Sequence, residues 1–193
     1  MRLAGFAALA SGVVSAMGDL LRLGVDVENP QTASTVGYAL VFSLYLVGTA
    51  LLLLGVVGLY ASQSEAAGVL GLVGFVAAFS GTVLLAGALW FELFVTPPLA
   101  AEAPGLAESE LGLVGFVLVF VLGALGWLLF GVATLRAGVY PRWAAVLLMV
   151  GAVLAYVPVP LSGIVFSVAV AWMGFVLFAG RARATEQPAP RVS

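Results

Sequence analysis

The chain contains no histidine, no cysteine and no lysine, and only 8% of its 193 residues are charged. Each absence removes a kind of chemistry. Without His and Cys there is no imidazole base, no thiolate nucleophile, no zinc cluster of the usual type and no His or Cys axial ligand for haem. Without Lys there is no retinal or pyridoxal Schiff base and no phosphate-loop lysine, and no glycines are spaced as a dinucleotide fingerprint requires. No cofactor is expected. Disulfides cannot form, so cysteine says nothing about redox compartment. A net charge of -2 with no basic stripe argues against nucleic acid as a partner.

What fills the chain is apolar: 63% hydrophobic residues and a mean hydropathy of +1.21 leave a water-soluble fold with too little polar surface to cover it. A spanning helix needs about 20 mostly apolar residues. That template predicts an all-α, integral membrane six-helix bundle, a single domain over 1–180 with crossings near 3–21, 33–60, 66–95, 111–136, 142–158 and 161–179. Residues 181–193 read as a polar cytoplasmic tail. A β-barrel would alternate apolar and polar residues, and runs such as Leu51–Tyr60 do not. Arg2, the following apolar stretch and Val14-Ser15-Ala16 also suit a cleavable signal peptide, but the apolar stretch continues through Leu20 and Leu21, which favours a first crossing.

Breaks between the runs carry helix-end chemistry. Asn29-Pro30 predicts an N-cap for the second helix, Ser62 with Glu65 a capping box for the third, and Pro141 the start of the fifth. Val157-Pro158-Val159-Pro160 predicts a tight reversal, and Thr96–Glu110 a loop containing at most a short turn. With both termini inside, Arg2, Arg136, Arg142, Arg181, Arg183 and Arg191 fall on the cytoplasmic side and only Arg22 outside, as the excess of basic residues in cytoplasmic loops requires. Asp19, Asp26, Glu28, Glu92, Glu102, Glu108 and Glu110 then lie at or beyond the outer boundary of the plasma membrane.

Ionisable residues at membrane depth are functional candidates. Asp19 and Arg22 share a helix face and could pair; Glu92 has Leu89-Trp90-Phe91 before it and Leu93-Phe94-Val95 after it. These three form a candidate external mouth or ion pair, with a carboxylate reaching headgroup water as the plainer reading of Glu92. At mid-depth the polar residues are neutral: Ser43, Tyr45, Thr49, Ser80, Thr82, Trp127 and Trp172. Tyr45, Ser80, Trp127 and Trp172 are candidate binding residues for a lipophilic or weakly polar ligand, expected to face the bundle so that their donors find partners. Ordinary interhelical hydrogen bonding explains the same set. Tyr60, Tyr140 and Trp143 on one side, and Tyr38, Trp90 and Tyr156 on the other, read as interfacial anchors.

The chain has 24 glycines, several at seven-residue spacing (Gly5 and Gly12, Gly48 and Gly55, Gly74 and Gly81, Gly131 and Gly138), and none four apart, which predicts close packing within one bundle. Leu70–Val76 is repeated as Leu111–Val117, at the starts of helices that run in opposite directions, while Leu52–Leu59 has a weaker echo in Leu128–Leu135. The two registers conflict, and neither gives the inverted repeat of many carriers.

The opening of the third helix, together with Gly126–Gly131 and Leu135–Ala144, resembles multi-pass bacterial membrane proteins of six helices and unknown function. That resemblance implies no activity. The functional expectation is a non-enzymatic structural or accessory membrane component that binds membrane lipids, a lipophilic ligand, another membrane protein or a second copy of itself. The alternative is a small-solute transporter or channel with an acidic external mouth. An enzyme ranks third, because no nucleophile and base are seen together.

Overall fold

The computed structural model describes residues 1–102, 110–155 and 161–182. Among them are seven α-helices and no strand: α1 (Arg2–Arg22), α2 (Val36–Ala61), α3 (Ser64–Phe94), α4 (Thr96–Glu102), α5 (Glu110–Ala137), α6 (Arg142–Leu154) and α7 (Ile164–Phe178). Four are long and apolar enough to cross a membrane, namely α1, α2, α3 and the Val117–Ala137 part of α5. α6 and α7 are apolar but have only 13 and 15 residues. The fifth predicted span therefore ends early, at Leu154, and the sixth begins late, at Ile164, after a turn in which Leu161 has φ 67°. Tyr156, the prolines at 158 and 160, Glu108, Arg183 and Arg191 lie outside the described residues.

Two of the helix starts differ from the sequence expectation. The Asn29 side chain accepts a hydrogen bond from the Gln31 N–H (3.0 Å) and closes a 3-10 turn at Pro30–Thr32, not the second helix. That helix starts at Val36, where Thr35 Oγ1 accepts from the Tyr38 N–H (3.3 Å). The Ser62–Glu65 capping box does not form. Gln63 takes the N-cap position, while the Ser62 hydroxyl donates to the Leu59 carbonyl (2.8 Å) and meets the Tyr140 hydroxyl (2.6 Å). A tertiary partner outcompetes the local cap, because a buried phenol needs a hydrogen bond more than an exposed helix end does. Pro141 does directly precede α6.

Small residues set the helix order. Gly58, Gly55 and Gly48 of α2 meet Ala4, Ala8 and Ser15 of α1, so these helices run antiparallel. Gly5 and Gly12 of α1 meet Phe178 and Ser167 of α7 in the same sense. Gly74 and Gly81 of α3 face Phe130 and Gly123 of α5; Gly131 of α5 faces Met149 of α6; Gly151 of α6 faces Phe166 of α7. With α2 packed on α3, six of the seven helices close a ring in the order α1, α2, α3, α5, α6, α7 and back to α1. The centre is filled by Leu52, Val56, Leu59, Ala78, Trp127, Phe130, Leu148, Val170 and Met173.

Alternation of direction gathers the charges at two ends. Arg2, Arg136, Arg142 and Arg181 lie at one end, with Glu65; Asp19, Asp26, Glu28, Glu92, Glu102 and Glu110 lie at the other, with Arg22. The seven-residue helix α4, within the segment expected as a loop, packs on α3 and on the 3-10 turn at this acidic end.

Candidate functional site

At the acidic end, α2 presents Tyr38 and Tyr45, seven residues apart and so on nearly one face. Between them Phe42 packs against Tyr38 with its ring tilted by 40° (centroids 4.4 Å apart) and meets Tyr45 edge-on (6.4 Å). Each phenol donates to a carboxylate on a different neighbour: Tyr38 to Glu92 Oε2 on α3 (2.6 Å), Tyr45 to Asp19 Oδ1 on α1 (2.9 Å). The α2 aromatic ladder thus ties three helices together through two tyrosine–carboxylate hydrogen bonds.

Asp19 is the deeper of the two acids, only 8% exposed. Its carboxylate also lies against α7: a β-carbon on Gly163, the residue before Ile164, would fall 2.9 Å from Asp19 Oδ1. Only glycine leaves this space, and the start of α7 brings the positive end of a helix dipole to the acid. No salt bridge joins Asp19 to Arg22; Arg22 reaches forward to Glu28 (3.3 Å), an exposed pair of the type that contributes little to stability. Glu92 is half-buried and accepts its hydrogen bond from the inward-lying Tyr38 hydroxyl. Asp19, Arg22 and Glu92 thus share the acidic end without forming one gate. Tyr38, expected to be an interfacial anchor, is 2% exposed and belongs to this site. Its spacing from Tyr45 was the signal in the sequence; which carboxylate it would meet was not.

The other candidate residues do not converge on a pocket. Trp127 is 3% exposed, donates from Nε1 to Thr82 Oγ1 (3.2 Å) and is held edge-on by Phe130 and Phe166. Thr82 in turn donates to the Ala78 carbonyl (2.7 Å). Ser80 is half-buried on α3. Trp172, expected to face the bundle, is 38% exposed on the outside of α7, because Ala169, Val170 and Met173 take the inward positions of that helix. Tyr45 is engaged with Asp19. Near the arginine end, Gln63 Nε2 donates to Thr134 Oγ1 (2.9 Å), which donates to the Phe130 carbonyl (2.8 Å). Tyr140, another expected anchor, is buried there, and burial pushes its hydroxyl up to about 12. Trp143 is 72% exposed, as an anchor should be.

The two best-formed hollows lie away from these residues. One of about 500 Å³ is open and is lined by the loop 22–28; the other, about 400 Å³, is wholly apolar and is lined by Leu128, Met149, Val150, Val153 and Leu154 on the outside of α5 and α6. Neither is lined by the central residues. Compared with protein families, with curated proteins and with solved structures, the chain has no match that would attach an activity to this site.

Proposed function

We propose that this protein crosses the plasma membrane six times, with its arginine-bearing end in the cytosol, and acts as a non-enzymatic structural or accessory component that binds lipid, a lipophilic ligand or a partner membrane protein. The observation that carries this reading is the filled centre of the helix ring. Trp127, Phe130, Leu59 and Met173 occupy the place where a carrier needs a polar, solvent-connected cavity. Exposed apolar side chains, including Leu54, Val76, Leu125 and Phe175, point outward from the same helices, as a lipid-facing surface requires. The wild-type chain has no cysteine, so single cysteines report sidedness directly. A cysteine at Ala101 is expected to label in intact cells, and one at Ala61 only after the membrane is opened. The opposite pattern, or a product that stays monomeric in buffer without detergent, overturns the proposal.

The carboxylate–tyrosine pairs favour a second reading, a small-solute carrier or channel with Asp19, Arg22 and Glu92 at its external mouth. Sealed vesicles distinguish the two. The scaffold reading expects ion and proton leak equal to that of protein-free vesicles; the carrier reading expects a flux that Asp19→Asn or Glu92→Gln abolishes.

A further inference from the structure

Arginines and apolar surface meet in the groove between α5 and α6. At the arginine end, α5 finishes with Arg136 and α6 begins with Arg142; both are exposed, and among the described residues neither has an acidic partner. On α6, Arg142, Val146, Met149 and Val153 stand at positions i, i+4, i+7 and i+11 and form one stripe, on the side where Met149 lies against Gly131 of α5. The far part of that stripe, with Leu128 of α5, lines the wholly apolar hollow of about 400 Å³. At about 1.5 Å per residue, Met149 lies about 10 Å and Val153 about 16 Å from the level of Arg142. Half of a hydrocarbon layer of about 30 Å is about 15 Å, so the hollow falls at the depth of the acyl tails whose headgroups meet Arg142 and the exposed Trp143.

We infer that this groove holds one anionic phospholipid from the leaflet at the arginine end, with its phosphate between Arg136 and Arg142 and an acyl chain in the hollow. Charge complementarity selects the headgroup, since two cations without a carboxylate favour a net negative lipid over a zwitterionic one. The start of α6 acts in the same sense: no side chain caps it, and its positive dipole end lies at the level of Arg142. The hollow receives only the apolar part of a ligand, because none of Leu128, Met149, Val150, Val153 and Leu154 offers a polar side chain. A lipid satisfies both ends of the groove at once. The inference names the lipid class for the lipid-binding reading above and rests on its membrane crossing.

Native mass spectrometry of the full chain in detergent, with equal amounts of dioleoyl phosphatidylglycerol and dioleoyl phosphatidylcholine added, tests it. The wild-type protein is expected to retain one phosphatidylglycerol, and Arg136→Gln or Arg142→Gln to weaken that retention by about fivefold, the weight of one arginine near an anionic surface. Arg2, exposed at the same end but on α1, is the control for charge alone, and Arg2→Gln is expected to leave retention unchanged. Val153 is exposed outward, so Val153→Trp occupies the hollow without disturbing the core and is expected to weaken retention at unaltered charge. Equal retention of the two lipids, an equal loss in Arg2→Gln, or no loss in Val153→Trp overturns the site. Any of these in a protein that floats with dioleoyl phosphatidylglycerol vesicles and resists alkaline extraction leaves the membrane-crossing reading intact. A chain that alkaline carbonate strips from the vesicles overturns both.

Discussion

Tyr45 is a donor whose value depends on one acceptor. Asp19 is buried and accepts a hydrogen bond from this phenol, so Tyr45→Phe is expected to destabilise the protein in detergent by about 1–3 kcal/mol. Asp19→Ala removes that acceptor. The double variant should therefore show a coupling of about 0.5–3 kcal/mol in unfolding measurements; additive losses would mean that the two side chains do not interact. At the opposite end, Tyr140 is buried against Ser62, with its hydroxyl raised from 10.0 to about 12. Folding then favours the neutral phenol. The stability this contributes is complete below pH 10 and is lost as pH rises from 10 toward 12, because the unfolded chain ionises first. Melting curves at pH 8 and pH 11 should show a smaller loss for Tyr140→Phe than for wild type. Asp19, Arg22, Glu92 and Tyr45 were legible in the sequence as polar groups among apolar neighbours. Their pairing was not, since a hydrogen bond between α1 and α2 depends on helix rotation, and hydropathy carries no rotation.

Between helices, glycine decides how close two backbones come. A β-carbon on Gly126 of α5 would run into the backbone of Ala77 and Ala78 on α3, whereas one on Gly87 of α3 meets nothing within 4 Å. Gly126→Ala is thus expected to cost about 1–3 kcal/mol by overpacking, and Gly87→Ala to be neutral or to stabilise by up to about 1 kcal/mol, both measured by thermal unfolding in detergent. Equal effects would show that the α3–α5 contact is not glycine-dependent. The repeated heptapeptide teaches the same lesson. Gly74, in Leu70–Val76, is wedged on Phe130, but its counterpart Gly115, in Leu111–Val117, has open space around it. Identical residues acquire different roles because α3 and α5 run in opposite directions and the two copies fall at opposite ends of the ring. At Gly68 the backbone leaves helical geometry (φ 55°, ψ -150°) and bends α3 after its first turn, a conformation that other residues adopt only under strain. Nothing in the apolar periodicity announced that kink.

For the molecule as a whole, the sequence by itself determined a helical, strongly apolar chain with arginines and acids sorted to opposite ends, but its six expected crossings became, among the described residues, four helices long and apolar enough to cross a membrane and two shorter ones. Those features follow from hydrophobicity, chain length and alternation of direction, all of which are linear properties. Tertiary structure decided that the helices close into a ring with a filled centre, that Tyr38 and Tyr140 turn inward while Trp172 turns out, and that α7 begins level with Asp19. The reason is that α2, α3, α5 and α7 are apolar on all sides. An amphipathic stripe would have fixed each rotation in the sequence; without one, rotation is set by where glycines let backbones touch and by which buried donor finds an acceptor.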